Sequence, residues 1–183
     1  FALKYIKPSR PYISSASLRH MLKNNADQLR QRLLAERKEI PAARQQQQSQ
    51  QICLTLQDWF TQNVVPAKST LTAQNLIVAA FWPLKHEPNL IPFLTHVHGL
   101  GFPTALPVVA QRDAPLEFHQ WDPEMPMISG AFGIQEPSSK VILRPTLILV
   151  PTLGFTHRGD RMGYGGGYYD RTLAALRTSG API

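Results

Sequence analysis

The sequence predicts an α/β domain with helices on both faces of a parallel or mixed sheet. Three observations carry this. The first third of the chain places apolar residues at helical spacing. Between residues 75 and 150, short runs that are apolar at every position stand between turn residues, as strands buried on both faces do. The chain then passes through a glycine-rich turn into one more amphipathic segment. At 183 residues and 43% hydrophobic composition, a single domain can bury a sizeable core without disulfides or metal.

Taken in order, residues 1–16 form a basic arm broken by Pro8 and Pro11, and residues 17–183 form the domain. Ser17 is placed to cap a first helix whose apolar face is Leu18, Met21, Leu22, Leu29 and Leu33. Pro41 ends that helix or begins the next, whose buried face is read as Ile52, Leu56, Trp59 and Phe60, with Gln45–Gln48 toward solvent. Asn75–Trp82 is a run of strand length, followed by Pro83 and a loop. Leu90–His98 reads as a short helix stopped by Gly99 and Gly101. Thr104–Ala110 and Thr146–Val150 are further buried strands, with short strands and loops across 115–137. The last helix runs from about Gly167 to Thr178, with Leu173 and Leu176 inward.

Charge narrows the function classes. The net charge of +7 looks like a polynucleotide footprint until it is located. Residues 1–44 hold ten Lys/Arg against three acids, and the rest of the chain is balanced. Such a local excess suits an anionic small molecule, and a nucleic-acid module is not favoured. No stretch approaches the ~20 apolar residues of a membrane span, and no secretory leader is recognisable. Phe1 in place of Met reads as a trimmed or processed start. Cys53 stands alone, which excludes a disulfide framework or a cysteine zinc site and fits a reducing compartment. A cytoplasmic monomer is expected.

One segment is unlike the rest. Five of the eleven glycines fall within nine residues, Gly159 to Gly167, between a strand and a helix. A turn of this kind lets backbone N–H groups approach an anion closely, and the helix N-terminus behind it adds partial positive charge. Arg161 and Arg171 can neutralise phosphate oxygens, and Asp170 is placed to hold Mg²⁺ beside them. The even spacing of Gly163, Gly165 and Gly167 fits neither a Walker loop nor a dinucleotide fingerprint. From the pattern alone, phosphate binding is preferred to a flexible turn in which Asp170 only caps the helix. His96 and His98, two apart on one helix, do not share a face and make a poor metal pair.

The stretch from Leu147 to Arg177, with Val150-Pro151, Phe155, Arg161, Gly163-Tyr164-Gly165-Gly166-Gly167-Tyr168-Tyr169-Asp170-Arg171, closely resembles the signature of the 5-formyltetrahydrofolate cyclo-ligases, also called methenyltetrahydrofolate synthetases. Leu29-Arg30, Phe81-Trp82-Pro83 with Glu87-Pro88, Leu106 to Val109, Phe118, Trp121, Gly130, Phe132-Gly133-Ile134 and Glu136-Pro137 match in order, so the resemblance covers about residues 26–178.

The resemblance implies a three-layer α/β/α domain with a mostly parallel sheet, grouped with sugar-phosphate isomerases and CoA transferases. It implies conversion of 5-formyltetrahydrofolate and MgATP to 5,10-methenyltetrahydrofolate, ADP and phosphate. Carried over by position, Arg30 and the loop Arg161, Met162, Gly163, Tyr164, Gly165, Gly166, Gly167, Tyr168 and Tyr169 bind ATP, and Arg161 and Tyr168 are the catalytic pair. Trp82, Glu87 and Tyr164 to Tyr168 face the folate, and Asp170 holds Mg²⁺. Three departures stand beside this. Ala26 replaces a family Lys, Thr156 replaces an Asp, and the sequence stops at Ile183, before a strand and a further Mg²⁺-linked Asp that family chains usually carry. The alternatives are a degenerate folate binder with little turnover and a sugar-phosphate or CoA-type enzyme of the same fold.

Overall fold

The computed structural model describes residues 15–66 and 76–178, with side chains from Asn24 onward. Two long helices open it, α1 (Ser15–Lys38) and α2 (Ala42–Asn63), separated at Pro41, which is the N-cap of α2. A proline there loses nothing, since an N-terminal N–H has no intrahelical partner. Helix α1 is already formed at Ser15, so Ser17 lies inside it instead of capping it; the arm to residue 14 lies outside the described residues.

The central sheet has five strands in the order β6-β3-β2-β1-β7: β1 (Val78–Ala79), β2 (Thr104–Val108), β3 (Glu117–Trp121), β6 (Ile142–Leu143) and β7 (Leu147–Ile148). β1 pairs in parallel with β2 and β7, whereas β3 is antiparallel to both β2 and β6. Four of the five strands therefore run one way, and the sheet is mostly parallel. Helix α3 (Ile91–Gly99) makes the crossover from β1 to β2. Two small hairpins, β4 (Met127–Ser129) with β5 (Gln135–Pro137) and β8 (Gly154–Phe155) with β9 (Arg161–Met162), precede helix α4 (Tyr168–Thr178).

Alternation along β1 and β2 divides the interior. Val78 and Leu106 join a core with Cys53 and Phe60 of α2 and Phe93, Leu94 and Val97 of α3. Ala79 and Ala105 point the other way, into a smaller core with Phe118, against which Leu176 of α4 packs. Phe60 anchors the larger core through edge contacts to Phe93 and Phe102, at centroid distances of 5.9 and 5.1 Å.

Several sequence expectations need correction. The inward stripe of α2 is Cys53, Leu56 and Phe60, while Ile52 and Trp59 are 39% and 46% exposed. Leu56 and Phe60 are common to both stripes; the helix is turned so that Cys53 joins them inside, and Ile52 and Trp59 fall at the outer edge of the apolar face. Leu29 is likewise exposed; α1 turns Arg30, Leu33, Leu34 and Arg37 toward the body. The runs read as strands contain much shorter ladders, only two residues in β1 and β7. Gln46 to Gln48 are exposed as expected, but Gln45 turns in and donates to the Ile40 carbonyl at 2.8 Å. No helix among the described residues is long and apolar enough to cross a membrane.

Candidate active site

The three parallel strands β1, β2 and β7 all end at one cavity of about 270 Å³. Phe81 and Trp82 follow β1, Pro107 and Val109 close β2, and Pro151 follows β7. Crevices at the carboxyl ends of parallel strands are the usual ligand sites of α/β sheets, because loops there leave the sheet in diverging directions. The glycine-rich turn closes another wall and leads into the first turn of α4.

Positive side chains organise that turn. Arg30 donates from Nε to the Gly163 carbonyl at 3.2 Å and from Nη1 to Asp27 at 2.5 Å. Seven residues along the same helix, Arg37 donates to the Tyr164 hydroxyl and to the Thr152 carbonyl, each at 2.8 Å. Helix α1 is thus fastened to the turn by two guanidinium groups two helical turns apart. Arg171 donates to the Gly166 carbonyl at 2.9 Å and lies over the Tyr168 ring at 4.8 Å. Gly165 and Gly167 have φ of +100° and +68°, so the turn needs residues without a Cβ there.

Of the positions expected from sequence, Arg30, Trp82, Glu87, Arg161, Gly163 to Tyr169 and Asp170 all line the cavity. Met162 does not. It sits in β9, where its carbonyl accepts from Leu153 and Thr152 and ties the hairpin to the chain after β7. Arg161 pairs with Asp170, whose side chain is 75% exposed. The described residues hold no cluster of three or more His, Cys, Asp or Glu. Asp170 still fits Mg²⁺, which usually takes one or two carboxylates and fills its shell with phosphate and water oxygens. At the departure from the family pattern, the Thr156 hydroxyl donates to Asp160 at 3.0 Å and fixes the turn between β8 and β9.

A second group of residues is acidic and phenolic. Glu87 Oε2 accepts the Leu84 N–H at 2.8 Å, while Oε1 is buried with no hydrogen-bond partner. The Tyr169 hydroxyl is buried and equally unpartnered. Burial pushes the pKa of Tyr169 well up, the Glu87 charge adds to this, and Arg161 opposes it. Burial does the same at Tyr164, helped by Glu87 and opposed by Arg37. Both phenols are therefore held neutral beside the Glu87 carboxylate, and the unpartnered Tyr169 hydroxyl is available as a donor.

Sequence reasoning assigned no role to Arg37, Phe132 or Glu136, and all three shape the site. The signal for Arg37 was its helical register with Arg30. Phe132 sits in the turn of the β4–β5 hairpin at φ +58°, 71% exposed, edge-on to Tyr168 at 6.2 Å. Among the described residues, the other non-glycine positions with left-handed backbone also border the site. His86 precedes Glu87, and the Asp113 N–H donates to the Tyr168 hydroxyl at 3.4 Å. Conformations this costly persist where the surroundings impose them, and ligand sites are the usual place.

Comparison with known proteins bears on this arrangement. The profile of the 5-formyltetrahydrofolate cyclo-ligase family matches residues 22–182. A 5-formyltetrahydrofolate cyclo-ligase of Mycolicibacterium smegmatis is 31% identical over 163 residues, 84% of this chain and 77% of that one. The protein of the same name from Escherichia coli K12 is 30% identical over 102 residues, 52% of this chain and 56% of its own. The solution structure of Aquifex aeolicus 5,10-methenyltetrahydrofolate synthetase superimposes with a TM-score of 0.61 at 27% identity, covering 81% of this chain and 72% of that one. A synthetase of the same name from Mycoplasma pneumoniae gives 0.60 at 19% identity, over 81% and 77% of the two chains, and there the likeness is one of fold.

Proposed function

The chain belongs to the 5-formyltetrahydrofolate cyclo-ligase family, and from that premise we propose that it closes 5-formyltetrahydrofolate to 5,10-methenyltetrahydrofolate at the expense of ATP, releasing ADP and phosphate. The observation that carries this reading is the division of one cavity into two chemistries. Guanidinium groups and glycine backbone, suited to phosphates, stand beside a carboxylate with a buried, unpartnered oxygen, suited to the N–H groups of a pterin.

The chemistry asks for this division. A formyl oxygen on an amide-like nitrogen leaves poorly, and phosphate leaves well. The formyl oxygen therefore attacks the γ-phosphorus of ATP, and ADP departs. The neighbouring folate nitrogen then adds to the activated carbon and loses its proton. The C–O bond breaks, and phosphate carries away the original formyl oxygen with the bonding electrons. The protein's share is positioning and charge stabilisation. Arg30 and the Gly163–Gly167 backbone hold the phosphates. Arg161, released from Asp170, meets charge building on the transferring phosphoryl group. Tyr168, fixed between Arg171 and Phe132, holds the reacting carbon against the loop. Trp82 and the Glu87 carboxylate orient the pterin. Mg²⁺ held at Asp170 would neutralise part of the phosphate charge.

The two cores on opposite sides of β1 and β2 support a three-layer arrangement, with α2 and α3 on one face and α4 on the other. Substrate carrying a heavy-oxygen label in its formyl group tests the scheme. The label should appear in inorganic phosphate after one turnover. Unlabelled phosphate, with the label lost to water, would refute phosphorylation of the formyl oxygen.

A further inference from the structure

Glu136 is a buried carboxylate for which the reactions and contacts above have no use. It lies in β5, only 9% exposed, and it lines the cavity. Its Oε1 accepts the Val109 N–H at a long 3.3 Å. Among the described residues, Oε2 takes no hydrogen bond and the carboxylate makes no ion pair. Oε2 is not among the buried unpartnered atoms of the described residues, so it opens onto the cavity, where a ligand can reach it, and a carboxylate this far withdrawn from water normally has more than one weak donor.

The surrounding chain reserves room for this group. Any side chain at Gly130, across the hairpin, would run into the Glu136 carboxyl, since a Cβ there would lie 1.9 Å from Cδ. Gly130 itself has φ −103° and ψ −157°, an extended conformation open to any residue. A larger residue there would have to displace the end of the Glu136 side chain, so the glycine lets the carboxyl group stand where it does and is not needed for its backbone freedom. On the same hairpin, Phe132 and Ile134 also face the cavity.

We propose that Glu136 is a second substrate-binding carboxylate, whose free Oε2 accepts an N–H of the reduced pterin while Glu87 serves another. This rests on the folate reading of the site. The chemistry selects the moiety. The glutamyl tail and the phosphates are anionic and would be repelled, whereas the pterin ring and its amino group are rich in N–H donors. Two carboxylates in one cavity can then hold a flat heterocycle in one orientation, which a single acceptor cannot.

The test is calorimetric binding of 5-formyltetrahydrofolate and, separately, of ATP to wild type, E136Q and E136L, with unfolding midpoints for each protein. E136Q keeps an acceptor oxygen for Val109 and should retain its midpoint, with folate Kd raised up to about tenfold. E136L should raise folate Kd by about tenfold to a hundredfold. ATP Kd should stay within about twofold in both. Unchanged folate affinity in E136L overturns the assignment. So do equal losses for both ligands with a lowered midpoint in E136Q, which would make Glu136 structural. A wild-type protein that bound ATP but no folate would instead overturn the folate reading itself, and the assignment with it.

Discussion

Substituting Gly130 by alanine gives a direct measure of how tightly the hairpin is fitted around Glu136. The new Cβ would sit 1.9 Å from Cδ, 2.1 Å from Oε2 and 2.4 Å from Oε1 of the carboxylate. Ordinary contact begins near 3.4 Å, so the carboxyl group must retreat by about 1.5 Å. The backbone can stay, because φ −103° and ψ −157° suit alanine. A retreat of that size breaks the 3.3 Å bond from Val109 and moves the Glu136 side chain out of its place beside the hairpin. Because the displaced atoms are the end of a flexible side chain, the cost lies at the low end of the range for overpacking, about 1 kcal/mol. For a domain of this size that lowers the unfolding midpoint by about 2–4 °C. The assay is thermal unfolding of G130A, E136A and the double variant. With the carboxyl group removed, G130A should cost nearly nothing, giving a coupling of about 1 kcal/mol. An equal cost of G130A in both backgrounds would refute the steric argument and leave Gly130 a turn residue only.

Arg37→Ala removes a guanidinium that joins Tyr164 to the Thr152 carbonyl; stability should fall by about 1–3 kcal/mol, and folate KM should rise with kcat little changed. Arg37→Lys should recover only part of this, since an ammonium cannot span both acceptors with the same fork, and full recovery would show that charge alone matters. Tyr169→Phe deletes a buried hydroxyl with no partner, so denaturant unfolding should show unchanged or higher stability, by up to about 1 kcal/mol. The folded state raises the pKa of Tyr164 and Tyr169 above their ordinary value of 10.0 and so favours the protonated phenols. Their contribution is complete below pH 10 and is lost as pH rises above it; stability measured from pH 9 upward should fall faster in wild type than in Y169F. Glu87→Ala should weaken folate binding far more than ATP binding, and equal losses in titrations of both ligands would make Glu87 structural. Asp170→Ala should abolish turnover with the unfolding midpoint retained, whereas wild-type kinetics at limiting Mg²⁺ would remove Asp170 from the mechanism.

What could be read from sequence depended on how local the determinant was. The glycine-tyrosine turn and the helix after it are local, set by residue types over about twenty positions, and the structure has the turn between β9 and α4. Helix positions were equally legible, with α3 displaced by one residue at each end. Faces were not. Ile52 and Trp59 satisfy an apolar period as well as Cys53 does, and only the packing of α2 on Phe93 and Phe102 decides between them. On α1 the apolar stripe holds at Leu33 and fails at Leu29, while Leu18, Met21 and Leu22 lie outside the described side chains; the inward face also carries Arg30 and Arg37, whose partners lie 133 and 127 residues away. Phe132 and Glu136 match the family pattern in order, but sequence gives them no role, for a related reason. A phenylalanine with left-handed backbone and a glutamate beside a proline look like ordinary loop residues until the hairpin folds over the cavity.

The measurement closest to the central claim is the absorbance of 5,10-methenyltetrahydrofolate when the purified chain meets 5-formyltetrahydrofolate and MgATP, against a control without ATP. A rise that requires ATP and is lost in the Asp170→Ala protein is the predicted result. No rise while folate still binds would mean a folate-binding protein without turnover. Neither turnover nor folate binding would contradict the account, leaving the glycine-tyrosine turn to some other phosphate ligand.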